Sequence, residues 1–354
     1  MSKLLNQKVQ APMLFALMGL ALVLVGTMQS WSLSLTILNY CVIAAIMALG
    51  LNVQWGYAGL FNVGLMGFAA LGGIAAVLVA MPPTQEAWEA GGAGILTALL
   101  MALITTVAAI VAYKKLSPGR TRRLVMAAIL VVGYFASRYF FDPAVELIEA
   151  VNPAKTGYLG GAGLPILLSW IVGGVLAACA AWLIGKITLG LRSDYLAIAT
   201  LGISEIILAV LRYEEWLTRG VNNVNGLPRP VPFEIDLVQT AWVQEWSARL
   251  GVHVMDFASM VVKLSYLTLS LAVLLLLFWL AQTAIRSPWG RMMRAIRDNE
   301  TAAEAMGKDV TGRHLQVFVL GSAIVGIAGA MLVTLDGQFT PNSYNPLRFT
   351  FLIW

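Results

Sequence analysis

Charge is scarce in this 354-residue chain: Asp, Glu, Lys and Arg together make up 12% of it, against roughly 25% in an ordinary soluble domain. Histidine occurs only at His253 and His314, which excludes an HExxH zinc site. No GxSxG elbow or clustered carboxylates stand in for one, so the sequence offers no catalytic centre and no metal site. Cysteine occurs only at Cys41 and Cys179, each inside an apolar run with no CxxC partner. That excludes a disulfide framework, and both are read as small buried residues. A Walker A loop is missing too, because Gly185-Lys186 is followed by Ile187 and has no glycine five positions earlier. If ATP drives this protein, another chain binds it.

Apolar residues are abundant instead, at 59% of the chain, with a mean hydropathy of +0.79. Such a composition fits an all-α, polytopic membrane helix bundle. Nine apolar stretches are long enough to be membrane segments: 12–28, 35–52, 58–80, 94–113, 124–140, 165–185, 195–211, 264–285 and 315–335. Phe351, Leu352, Ile353 and Trp354 read as the start of a tenth. The expected organisation is one transmembrane domain over 1–354, continuing past its C-terminal residue. The first run lacks a small-residue cleavage site and is read as an uncleaved helix.

The net charge of +5 is no sign of nucleic acid, because the bases gather in short loops. Residues 114–123 carry five bases and no acid, and 286–313 carry six bases against four acids. The alternate loops are acidic or neutral: 81–93 has Glu86 and Glu89 without a base, and 213–260 has six acids to three arginines. The positive-inside rule then places the N-terminus and the 286–313 loop in the cytoplasm and the 213–260 loop in the periplasm.

Small residues recur at four-residue spacing, as in Gly72 with Ala76, Gly173 with Ala177, and Ser322 with Gly326, a spacing that lets helix backbones approach in lipid. Between 50 and 67, five glycines alternate with Asn52, Gln54 and Asn62. Broken backbone and amides at membrane depth need cover from protein or water. Two readings stand: a broken helix lining a translocation path, or a plain turn between helices at the cytoplasmic face. Glu205 lies near the middle of an apolar stretch, where a charge costs about 2.5–3.5 kcal/mol. It is a structural hydrogen-bonding group, a polar group on a path, or a proton carrier. Arg138 sits near a segment end, where it can snorkel.

Loop 286–313 holds the densest signal. After Pro288 the run MMRAIRDNETAAEAM is rich in helix formers, with Met292, Ile296, Ala303 and Met306 near one face, and Gly307 is placed to stop it. Arg291, Arg294, Arg297, Glu300 and Glu304 flank that apolar stripe. The pattern predicts a docking helix that seats in a partner and transmits its movement, as against a solvated surface helix.

SPWGRMMRAIRDNETAAEAMGKDV, followed by LQVFVLGSAIVGIAGAML, resembles the signature of the branched-chain amino-acid ABC transporter permeases, in their LivM-like form. ALGLNVQWGYAGLFNVG (48–64), LRSDYLAIATLGISEII (191–207) and GVNNVNGLPRP (220–230) are similar to further motifs of that family. Residues 114–163 do not match and look like an extra stretch, and Leu65 stands where many relatives carry histidine. The resemblance implies a permease subunit in a bacterial inner membrane, with no cofactor on this chain. Its implied partners are a second permease subunit, two ATP-binding subunits in the cytoplasm that use ATP, and a periplasmic binding protein received near Arg219 and Arg229. The residues themselves give Arg291, Arg294, Arg297, Glu300, Glu304 and Gly307 as the expected coupling residues, and Asn52, Gln54, Asn62 and Glu205 as the expected path residues. A sugar, nucleoside, urea or short-amide permease has the same architecture, and a proton-coupled secondary transporter using Glu205 is the reading from another class.

Overall fold

A computed structural model describes residues 2–152, 157–191, 193–344 and Ile353. Phe351, Leu352 and Trp354 of the expected tenth segment lie outside the described residues. The helices, in order, are α1 (Ser2–Met28), α2 (Trp31–Leu51), α3 (Leu65–Ala80), α4 (Gln85–Ala87), α5 (Ala93–Lys115), α6 (Arg120–Val151), α7 (Ile166–Thr188), α8 (Ser193–Tyr213), α9 (Glu215–Thr218), α10 (Glu234–Val238), α11 (Ala241–Leu250), α12 (Val254–Arg286), α13 (Pro288–Asp298), α14 (Glu300–Ala305) and α15 (Val310–Asp336). π-helical turns at Asn52–Tyr57 and Trp88–Gly92 extend α2 and lead into α5. The described strands are β1 (Val224–Asn225) and β2 (Gln338–Phe339), which pair antiparallel.

Among the described residues seven helices, some with their π extensions, are long and apolar enough to cross a membrane; Pro12–Met28 and α3 are apolar but shorter. The expected stretches fall in these helices with shifted bounds. Stretch 58–80 becomes α3 only at Leu65, because residues 59–64 are irregular and Gly59 has φ +74°, a conformation that ends a helix. Stretch 264–285 sits inside α12, which starts at Val254 and takes Lys263 into the helix.

The centre of the bundle is α3, α7 and α15. A Cβ on Gly72 would strike the carbonyl of Gly326, and one on Gly326 would lie 2.5 Å from Ala177 Cβ and 2.6 Å from Gly173 O. Small residues thus let three backbones meet, as their spacing predicts. Within lipid this packing takes over the role that the hydrophobic effect plays in water. Side-chain bonds tie α15 to α7 and to α12: Trp170 Nε1 donates to Thr334 Oγ1 at 3.1 Å, and the Tyr266 hydroxyl on α12 donates to the Met331 carbonyl at 2.5 Å.

Helices α5 and α6 form a separate hairpin that carries most of the unmatched stretch 114–163. Gly133 packs on Thr105 within it. Its principal contacts to the rest run through α4, the Trp88–Gly92 turn and α9, with Ile148 and Ile95 in a small apolar cluster of their own.

Cys41 and Cys179 correct the sequence reading, since both are exposed on the outer faces of α2 and α7. A face turned to lipid is as apolar as one turned inward, so hydropathy alone does not separate the two.

Candidate functional site

The run 288–306 folds as two helices. Asn299 breaks it, with φ −157° and ψ 97°, and caps α14 by accepting the Ala302 amide at 3.0 Å. A short amide side chain that bonds its own backbone competes with helix continuation, which the helix-forming neighbours concealed. Ser287 and Pro288 start α13, and Gly307, at φ +74°, follows the end of α14. Between α13, α14 and the start of α15 lies an open cleft of about 690 Å³ lined by Trp289, Met292, Ile296, Ala303 and Met306. The four residues expected on one face thus line one cleft, although two helices carry them.

Glu300, Glu304 and Gly307 are exposed on or just after α14. The three arginines of α13 diverge. Arg291 donates to the Arg286 carbonyl at 3.3 Å and Arg294 to Gly290 at 3.4 Å, both within or next to their own helix. Arg297 leaves the loop and donates to the carbonyl of Gly56 in the Asn52–Tyr57 turn.

That turn opens the glycine-rich break, and the structure separates its three amides. Asn52 is exposed, whereas Gln54 and Asn62 are fully buried. Gln54 Nε2 donates to Phe318 O at 2.8 Å and Ser322 Oγ at 3.0 Å on α15, and its Oε1 accepts from Asn62 Nδ2 at 2.8 Å. Asn62 Oδ1 in turn accepts the Gly64 amide at 2.9 Å. The backbone beyond is held by α8: Val63 N donates to Thr200 Oγ1 at 3.2 Å and Gly67 N to Ser204 Oγ at 2.8 Å. Sequence reasoning missed Thr200, Ser204 and Ser322. Thr200 and Ser204, four apart in the middle motif, were the signal for a shared polar face.

Glu205, next to Ser204, turns the other way. It is exposed on the outer face of α8 beside Gly202, where a Cβ meets nothing within 4 Å, and Ile206, which is 63% exposed. No hydrogen-bond partner for it, as a structural role would need, is found among the described residues.

The opposite end of the bundle gathers loops 81–92, 157–163 and 214–254 with residues 337–344. Pro83 bridges Gly160, the Leu159 amide donates to Trp216 O at 3.0 Å, and β1 pairs with β2. Arg219 has φ +56° and donates to Asn223 O at 2.9 Å. Burial raises the pKa of nearby Tyr158, and the charge of Arg219 opposes that rise. Arg229 is ion-paired with Glu234 at 3.3 Å. It lines a cavity of about 260 Å³ with Lys263, Tyr40 and Asp336, in which the Tyr40 hydroxyl donates to Asp336. Neither arginine stands free on the surface, so the expected contact with a binding protein involves residues already engaged within the loop.

A helix bundle of this length and apolarity, with one charged helical loop tied to a buried polar break, defines a multi-pass membrane protein. The chain belongs to the family described as branched-chain amino acid transport system / permease component, whose model matches residues 33–354. It is similar to the high-affinity branched-chain amino acid transport system permease protein LivM of Escherichia coli K12, at 31% identity over 151 residues, 42% of this chain and 35% of that protein. The protein of the same description from Salmonella typhimurium is 32% identical over 153 residues, again 42% of this chain and 35% of the relative. A probable branched-chain amino acid transport permease protein LivM of Methanocaldococcus jannaschii is 30% identical over 87 residues, 25% of each chain. The matches span about a third of the bacterial relatives' length. No solved structure matches the chain.

Proposed function

We propose that this chain is the membrane-spanning permease subunit of an ABC importer for amino acids, branched-chain ones by the description of its family. In this reading the α13–α14 loop faces the cytoplasm and takes up the movement of one of two separate ATP-binding subunits, which supply ATP chemistry that this chain lacks. A second permease subunit completes the path in the inner membrane, and a periplasmic binding protein delivers the solute at the end where β1 and β2 lie. The observation that carries the reading is the cleft between α13 and α14: an apolar seat flanked by exposed Glu300 and Glu304 and joined to the bundle by Arg297. Apolar seats with charged flanks suit helix-in-groove docking.

The test is reconstitution of the chain with its partner subunits and binding protein in proteoliposomes, followed by uptake of labelled leucine, isoleucine and valine. Accumulation that needs both ATP inside and binding protein outside supports the reading. Accumulation driven by a proton gradient without ATP overturns it in favour of a secondary transporter.

A further inference from the structure

We infer that Arg297 is the positioning residue through which the α13–α14 loop acts on α8, and that the π turn Asn52–Tyr57 is the element it holds. The inference rests on the permease reading and adds a route to it.

The route is a continuous run of bonds. Arg297 donates to the Gly56 carbonyl, and a Cβ on Gly59 would lie 3.4 Å from Arg297 Cγ, so the stem of the arginine also rests on the chain just past the turn. Gly56 is two residues from Gln54, whose amide is locked to α15 on one side and to Asn62 on the other. Asn62 orients the Gly64 amide, and the neighbouring Val63 and Gly67 amides hang from Thr200 and Ser204. Among the principal contacts α8 touches neither α13 nor α14, and beside the packing through α15, α7 and α3 the break offers the hydrogen-bonded route from the loop to it. Among the described residues Arg291 bonds back to Arg286 at the end of α12 and Arg294 to Gly290 in its own helix, whereas Arg297 crosses to the Asn52–Tyr57 turn.

A π turn suits this role physically. It closes its hydrogen bonds over one residue more than an α-helix, and such turns occur mostly as single-turn bulges in α-helices, frequently at functional sites. Release of that residue shifts the following chain by one position in the helix, about 1.5 Å along the axis and 100° around it. A ligand on the Gly56 carbonyl decides which register is favoured, and Gln54, Asn62 and the α8 hydroxyls follow. Coupling between distant groups runs through elements with two discrete arrangements.

Arg297→Ala, Arg297→Lys, Thr200→Val and the double variant Arg297→Ala/Thr200→Val are prepared in the full complex. Co-purification of the ATP-binding subunits, ATP hydrolysis, uptake, and amide hydrogen exchange at Val63 and Gly67 are measured. Arg297→Ala is expected to keep assembly and hydrolysis, lower uptake about tenfold, and speed exchange at Val63 and Gly67. Arg297→Lys restores most of the uptake, because an ammonium still reaches the Gly56 carbonyl. The double variant is no slower than the slower single, as for two members of one network. Unchanged uptake in Arg297→Ala, exchange changes confined to residues 56–59, or losses that multiply in the double variant would each overturn the route. Uptake without ATP in the wild type would instead remove the permease reading, and the exchange data at Val63 and Gly67 would still decide the route.

Discussion

Gly72 on α3 faces the carbonyl oxygen of Gly326 on α15 with no room for a single added carbon. The obstacle is backbone, which does not yield as a side chain does, so the two helices share one fixed distance. Gly72→Val is expected to cost about 3 kcal/mol by overpacking and to lower the melting temperature in detergent sharply. Gly202→Ala, where a Cβ meets open space, leaves the melting temperature unchanged. Equal tolerance at both positions would contradict the close packing.

Gln54 and Asn62 form a pair inside the bundle, and removing one strands the other. Gln54→Leu leaves Asn62 Nδ2, Phe318 O and Ser322 Oγ without this partner, at about 1–3 kcal/mol for each buried group left unsatisfied. Gln54→Leu combined with Asn62→Leu is expected to fall short of the sum of the singles by about 1 kcal/mol. Thermal unfolding of the four proteins gives the cycle, and strict additivity would mean that the 2.8 Å bond carries no coupling.

Glu300 and Glu304 are exposed on α14, so reversing both to lysine changes the stability of this chain by no more than about 0.5 kcal/mol. The double reversal is expected to reduce co-purification of the ATP-binding subunits severalfold. Wild-type recovery of the complex would place docking elsewhere.

Glu205 makes no bond within this chain among the described residues. Glu205→Leu is therefore expected to unfold at the wild-type temperature, with any loss appearing only in assembly or uptake. Glu205→Gln, which keeps shape and hydrogen bonding, retains both. Loss of accumulation with intact solute exchange in Glu205→Gln would identify a proton carrier instead.

Orientation is tested on a background with Cys41 and Cys179 replaced by alanine. Ala248 in α11 and Ala305 in α14 are exposed at opposite ends of the bundle. An impermeant maleimide should label Ala248→Cys in intact spheroplasts and Ala305→Cys only after lysis. The reverse pattern would invert the protein in the membrane.

Much of the bundle was legible because lipid imposes a strong rule on sequence: a spanning helix must be long and apolar. The meeting of α3, α7 and α15 was legible as well, since glycine and alanine at four-residue spacing mark close backbones. Three features were not. Asn299 sits among helix formers, and its cap depends on a local bond that propensity does not weigh. Cys41 and Cys179 were assigned to the wrong face because inner and outer faces share one composition. Gln54 and Asn62 are eight residues apart across a π turn and an irregular segment, so no regular periodicity brings them together.

Helix length is distributed unevenly through the bundle. α3, with 16 residues, is about 24 Å long, while α6 and α12, with 32 and 33, approach 48–50 Å. A hydrocarbon layer of about 30 Å is longer than the first, whereas in the others it is matched by the apolar stretches 124–140 and 264–285, about 26 and 33 Å long, with the polar ends of both helices standing outside it. Hydrophobic mismatch acts only where acyl chains touch protein, and α3 is buried along almost its whole length. A change in bilayer thickness is therefore met by tilting and local deformation at lipid-facing helices such as α6 and α12, at fractions of a kcal/mol per ångström. The helix that follows the glycine-rich break is thereby insulated from changes in membrane thickness that its outer neighbours must absorb.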